Sequence, residues 1–306
     1  MEMHQVRYFL ALAKTLNFTR AAEQANVGQP ALTRAIQQLE AELGGPLFRR
    51  ERSHTHLSEL GRIMLPYLET ILAQSEAAQR QALRHARAGP ATLQVGVMCT
   101  IGPALVSDFI AGFGAKHPDV ELRITDRAAG QLLDLLTEGE IDLALHAGPE
   151  PLSDRFHGLP LFSERFVICV APGHRLAAQN RVRGIDLHEE RYVNRANCEY
   201  LDYARDQFRA AGATLRRVFS SERDDWVLGM VKAGFGFGFI PELCVTDPGL
   251  VTRELVDPQF VRTVQLVTVR GRPHAPIVGA FLQQARAFPW PKSRFGPTDA
   301  AARPSA

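Results

Sequence analysis

Cysteine is scarce in this chain of 306 residues: Cys99, Cys169, Cys198 and Cys244 are scattered and form no CxxC pair. That excludes a disulfide framework and argues against a structural zinc site, so no metal or cofactor is expected. Long apolar runs are missing as well. None approaches the roughly 18 residues that a membrane-spanning helix needs. Met1 to Arg7 has no basic leader, and Lys14 breaks the apolar stretch that follows, which speaks against a signal peptide and for a cytoplasmic location. Charge of one sign is not in excess: 35 Lys and Arg face 33 Asp and Glu, for a net charge of +2. A globally basic nucleic-acid coat is excluded, but a small basic face on one domain is not.

Catalytic signatures are absent too. There is no GxSxG, P-loop or HExxH, and no GxGxxG after a strand. The alternating glycines of Phe235-Gly236-Phe237-Gly238-Phe239 follow a helix and lead into a strand, the wrong setting for phosphate binding. No enzymatic activity is expected. With 45% hydrophobic and 22% charged residues, the composition is that of a globular protein of two or three domains.

What is present changes character along the chain. In the first 58 residues Met3, Val6, Phe9, Leu10, Ala13 and Leu16 recur at helical spacing. Asn17 and Thr19 offer caps for a short helix, Arg20 to Ala25, and Asn26-Val27-Gly28 is a turn. A third helix opens with Pro30 and turns Leu32, Ala35, Ile36, Leu39 and Leu43 inward. Gln29, Thr33, Arg34 and Gln37 point outward. Arg can pair with guanine and Gln with adenine in the major groove. Thr19 can give its hydroxyl and nearby N–H groups to a phosphate. Arg49, Arg50 and Arg52 then form a basic ribbon. The alternative is that these polar residues are the wet side of a helical bundle.

From Leu57 a long helix is expected to about Arg87. Leu57, Leu60, Met64, Leu68 and Ile71 make a narrow seam suited to a partner helix, or to packing on its own domain. Gly89-Pro90 ends it. From Ala91 strands and helices alternate, which predicts parallel sheets with crossover helices. The Pro- and Ala-rich tail is expected to be disordered.

The stretch Met3 to Leu57 resembles the winged helix-turn-helix of the LysR-type transcriptional regulators. The residues that carry the likeness are Arg7-Tyr8-Phe9-Leu10, Leu16-Asn17-Phe18-Thr19-Arg20-Ala21-Ala22, Val27-Gly28-Gln29-Pro30-Ala31-Leu32-Thr33-Arg34-Ala35-Ile36, Leu39-Glu40, Leu43-Gly44, Leu47-Phe48-Arg49-Arg50 and Leu57-Ser58. Family members commonly carry Ser where Gly28 stands, and Leu-Thr-x-x-Gly where this chain has Leu57-Ser58-Glu59-Leu60-Gly61. The resemblance implies an all-α winged helix-turn-helix over residues 1–58 and a linker and dimerisation helix over 59–89. A two-lobed α/β effector domain, periplasmic-binding-protein-like, follows over 91–290. Lobe one would take 91–162 and 267–288, lobe two 163–266, and 291–306 the tail.

It also implies an inverted-repeat operator in double-stranded DNA, a homodimer assembling to a homotetramer, a small-molecule or redox signal in the cleft, and RNA polymerase as a further candidate partner. Thr19, Gln29, Pro30, Thr33, Arg34, Arg50 and Arg52 are the expected DNA contacts. Leu57, Leu60, Met64, Leu68 and Ile71 are the expected dimer contacts.

For the effector the candidates are Cys99, Thr100, Ile101, Arg127, His146, Asn197, Cys198 and Arg223, because they lie where strands end or helices begin. Thr100 and Asn197 could instead be helix caps, Arg127 and Arg223 surface ion pairs, and His146 a core imidazole. Cys99 and Cys198 near helix starts suggest lowered thiol pKa values and a redox switch, or a soft metal site with His146. Small apolar fillers are the favoured reading. Peroxide-sensing LysR-type members use a cysteine pair in the second lobe, and no second cysteine follows Cys198 within its helix. A solute-binding protein or an enzyme on the same two-lobed fold are the alternatives.

Overall fold

Asn17 decides how the first two helices meet. Leu16 closes the first in a left-handed conformation, φ 50°. The Asn17 side chain then accepts the N–H groups of Thr19 and Arg20 at 3.0 and 3.1 Å, a cap that starts the second helix two residues earlier than the spacing predicts.

The computed structural model describes residues 1–51, 54–86 and 91–294. The chain divides near Ala88 into two units. The first contains α1 (Met3–Thr15), α2 (Phe18–Gln24), α3 (Gln29–Leu43), the antiparallel pair β1 (Phe48–Glu51) and β2 (His54–Leu57), and α4 (Glu59–Ala86). Val6, Phe9, Leu12, Leu32, Ile36 and Leu39 form its core. Each such side chain is worth about 1.5–3 kcal/mol when fully buried. The start of α4 is seated tightly. Ser58 Oγ donates to the Pro46 carbonyl at 2.5 Å and accepts the Gly61 N–H at 2.9 Å. A Cβ on Gly61 would lie 2.1 Å from the Leu47 carbonyl oxygen, so only glycine allows this approach.

The second unit runs β3 (Ala91–Met98), α5 (Pro103–Lys116), β4 (Val120–Arg127), α6 (Ala129–Glu138), β5 (Leu143–His146), β6 (Phe156–Val170), β7 (Arg181–Arg183), β8 (Arg191–Arg195), α7 (Leu201–Ala210), β9 (Arg216–Ser221), α8 (Asp224–Lys232), β10 (Gly238–Pro241), β11 (Val251–Val256), β12 (Val261–Val269) and α9 (Pro276–Ala287). The main sheet has the order β4-β3-β5-β12-β6-β11-β7, with β10 also on β6, and β8 pairs β9 separately.

The expected parallel sheets need correction. β4-β3-β5 and β8-β9 are parallel, but β12 runs antiparallel to β5 and β6, and β10 and β11 antiparallel to β6. The sheet is therefore mixed. β6 is one strand of 15 residues, longer than the segment from Arg165 that the apolar run predicts. Gly158 and Pro160 disguise its first half. Pro160 has no N–H to give, and the ladder accommodates it with a register shift opposite Val264 and Gln265.

β6 and β12 thus cross from one lobe to the other. Leu93, Val95, Phe109, Leu143 and Phe281 lie in the lobe-one core. In lobe two Phe166, Ile168 and Val170 face one core and Val167 and Cys169 the other, the period-two alternation of a strand buried on both faces.

The tail is a second correction. Pro289 to Arg294 packs back on the domain instead of leaving it, with Trp290 stacked against Phe162. Residues 295–306 lie outside the described residues.

Candidate nucleic-acid interface and effector cleft

α3 is buried on one side at Leu32, Ala35, Ile36 and Leu39. Gln29, Pro30, Arg34 and Gln37 are exposed, and Thr33 is half-buried. Pro30 stands in the first turn, where its missing N–H costs nothing. Gly44 in a left-handed conformation, φ 78°, closes the helix. Thr19 is exposed on α2. Its own N–H and that of Arg20 are already engaged by Asn17 within the protein.

One positioning residue escaped the sequence reading. Glu40 Oε1 accepts the N–H groups of Leu47 and Phe48 at 2.8 and 3.2 Å, tying α3 to the first strand of the wing. Arg49 is exposed on β1 and faces His56 across the pair. Arg50 pairs with Thr55 through the backbone, and Arg52 lies outside the described residues.

The seam of α4 is turned toward its own domain. Leu68 is fully buried in the helical core, and Leu57, Leu60, Met64 and Ile71 pack against the same cluster. The stripe thus packs on its own domain, one of the two arrangements its spacing allows, while Leu57, Leu60, Met64 and Ile71 stay only partly buried there. Exposed instead are Ile63 and Tyr67, at 54% and 62%.

In the second unit the predicted residues separate into a buried set and an accessible one. Thr100 and Ile101 are buried. Arg262 donates to Thr100 Oγ1 at 2.9 Å and to its carbonyl oxygen at 2.8 Å, and that hydroxyl donates to Glu199 at 2.8 Å. Thr100 is thus saturated by its own protein, and it caps no helix: Gly102 precedes α5. Arg262 also binds Glu164 Oε1 through Nε and Nη2 at 2.9 and 2.8 Å. The spacing of residues 164, 199 and 262 gives no hint that they meet.

Cys99 is half-buried. Its carbonyl accepts Arg195 Nη2 at 2.9 Å, and its Sγ lies 4.0 Å from the Asn197 carbonyl oxygen. Arg195 Nε donates to Asp224 at 2.7 Å, so this guanidinium links the ends of β3, β8 and α8. Burial raises the Asp126 carboxyl pKa against the pull of Arg195. Asn197 is exposed and left-handed, φ 55°, in the turn between β8 and α7. It caps no helix, and α7 begins only at Leu201.

Arg127 is exposed and donates to the Asp126 carbonyl at 2.7 Å. Arg223 pairs with Asp225 beside the start of α8. His146 is buried at the end of β5, where Nδ1 accepts the Gly148 N–H at 3.3 Å. Burial pushes its imidazole pKa below the usual value.

The thiols correct the expectation of lowered pKa values. Burial raises Cys99 and pushes Cys198 up to about 12, with Glu199 adding to the shift. Cys169 and Cys244 are likewise pushed up to about 12 by burial. Desolvation outweighs any helix terminus here, because a thiolate loses more than a thiol on leaving water. Among the described residues no group of three His, Cys, Asp or Glu side chains could hold a metal.

Residues 3–62 match the bacterial regulatory helix-turn-helix protein family of lysR type, and residues 87–289 match the LysR substrate binding domain. The chain is similar to the HTH-type transcriptional regulator BudR of Raoultella terrigena, 30% identical over 84% of this chain and 91% of that protein. It is similar also to the DNA-binding transcriptional dual regulator OxyR of Escherichia coli, 28% identical over 94% and 95%. A full-length OxyR variant from Pseudomonas aeruginosa has a similar structure, with TM-score 0.55 and 26% identity, covering 94% of this chain and all of that one. CbnR solved with its target DNA shares the fold, with TM-score 0.52 and 22% identity over 94% and 99%.

Proposed function

Because the chain belongs to the LysR family of DNA-binding transcriptional regulators, we propose that α3 reads its operator through Gln29, Pro30, Thr33 and Arg34, with Thr19 and the wing residues Arg50 and Arg52 at phosphates or the minor groove. The observation that carries this is the two-faced surface of α3. Its apolar side is consumed by the core, while its outer side offers an Arg and two Gln, the side chains that pair with base edges. Two copies would meet an inverted repeat, since half-site symmetry mirrors protein symmetry. Pairing along α4 would use the exposed side at Ile63 and Tyr67, and a pair of dimers would make a homotetramer.

The signal is a small polar molecule in the interlobe cleft of residues 91–290. Arg127, Asn197 and Arg223 are exposed and would line it, and Asp126, Glu222 and Asp224 would supply the opposite sign, which suits an amphoteric effector. A redox signal at Cys99 and Cys198 is the second reading. The raised thiol pKa values disfavour it, since the thiolate is the reactive form. Any effector shifts the lobes only by its difference in affinity between their arrangements. The relatives are transcriptional regulators, and neither catalysis nor solute transport is part of the reading. Among the described residues no helix is long and apolar enough to cross a membrane, and we place the protein in the cytoplasm.

Footprinting the full-length protein on DNA upstream of its own gene and its neighbours tests the reading. It predicts two symmetric protected half-sites that weaken as salt rises. Thermal-shift screening against metabolites and oxidants then identifies the signal.

A further inference from the structure

The chain does not leave the domain after α9. Trp290 turns back onto lobe one, its ring 5.0 Å from Phe109 and 5.7 Å from Phe162, and its indole N–H donates to the Ala285 carbonyl at 2.7 Å. Four residues on, the backbone N–H of Arg294 donates to Glu242 Oε2 at 2.8 Å. Glu242 is buried and begins the turn Glu242–Cys244 that follows β10 of lobe two.

That turn lies at the hinge. Glu242 Oε1 accepts the N–H of Arg165 in β6 at 3.1 Å. Glu164, the preceding residue of β6, reciprocates by accepting the N–H of Leu243 at 3.0 Å. Two buried carboxylates therefore cross-link positions 164–165 to positions 242–243, where β6 passes between the lobes. Leu243 packs in the lobe-one core, and Cys244 touches the cores of both lobes.

A buried carboxylate needs donors, and N–H bonds to it are charge-assisted. Arg294 supplies one of the two backbone donors that Glu242 receives among the described residues. Anchored by Trp290 at one end and by Glu242 at the other, residues 288–294 oppose any motion of the turn against β6. We propose that this segment is a strap that holds the hinge in the arrangement seen, so that its release lowers the cost of moving one lobe against the other. Only the consequence for transcription rests on the regulator reading; the mechanical claim stands apart from DNA binding.

Hydrogen exchange tests it, comparing the full chain with three variants. One ends at Ser293, one carries Arg294→Pro, and a control ends at Arg294. The first two remove the N–H donor and keep Trp290; the control keeps both. Exchange of peptides covering 163–166 and 242–244 should quicken about tenfold in the first two. It should stay unchanged in the control, with peptides from β3 and α3 unaffected. Wild-type rates in both donor-less variants would overturn the strap. So would uniform quickening across lobe one, which would assign Arg294 to general stability.

Discussion

Arg262 and Glu164 form an ion pair with both side chains at 0% exposure, the guanidinium 2.8 Å from the carboxylate oxygen. Both lie on the crossing strands, and Arg262 reaches outward from there to Thr100 of lobe one and Glu199 of lobe two. One guanidinium thus joins the two lobes to the strands between them.

Removing that cation leaves two carboxylates without their partner. Arg262→Met should cost about 3–5 kcal/mol, the range for breaking one side of a buried pair. Adding Glu164→Gln should restore part of the loss, because one of the two stranded charges disappears with it. Urea unfolding of the full chain and the two variants measures both. Equal stability of Arg262→Met and wild type would show that the pair is not a structural keystone.

Arg34→Ala should weaken operator binding by about 1–3 kcal/mol and relax preference at one base position. Fluorescence anisotropy with the footprinted duplex and with single-base variants reads both effects. An unchanged affinity would remove Arg34 from the interface.

Glu40 is a positioning residue: it ties α3 to the start of the wing through the N–H groups of Leu47 and Phe48. Glu40→Ala should strand the N–H groups of Leu47 and Phe48 and destabilise the first unit by about 1–3 kcal/mol. Hydrogen exchange should quicken in residues 46–50 first. If it quickens no more there than in α1, the tether is unimportant.

Spacing alone shows α3 well: Leu32, Ile36 and Leu39 are an inward stripe in the sequence and in the fold, because amphipathic period survives any tertiary context. The seam of α4 shows the limit of the same signal. Periodicity reports that Leu68 faces something apolar, and packing chose its own α1 to α3 core. The second unit was half legible. Alternation does place Cys99, Thr100 and His146 at strand ends, but the meeting of Glu164, Glu199 and Arg262 across 98 positions is a property of topology, and no local pattern encodes it.

Thiol chemistry offers a direct check on the signal. At pH 7 native Cys198 and Cys244, pushed up to about 12, should react with iodoacetamide more than tenfold slower than the same thiols in urea. Cys99, raised less far, should be the first native thiol labelled. Fast native labelling of Cys198, followed by mass spectrometry, would return the redox reading to the front.

His146 predicts a pH dependence. Burial holds its native pKa below 6.5, so the unfolded chain takes the proton first. Its contribution to stability is complete above about pH 6.5 and is lost as pH falls from there through the lowered native value. The stability difference between wild type and His146→Gln should therefore shrink between pH 7.5 and 5.5, by at most about 1.4 kcal/mol per pH unit. Parallel curves for the two proteins would place the imidazole in a less buried setting.

Whether α3 lies in a major groove is decided by titrating wild type and Arg34→Ala against the footprinted duplex at several salt concentrations. The predicted result is tight wild-type binding that falls steeply with salt, with the variant weaker on the operator and equal to wild type on random DNA. Indistinguishable binding of the two proteins to operator and random duplex alike would contradict it.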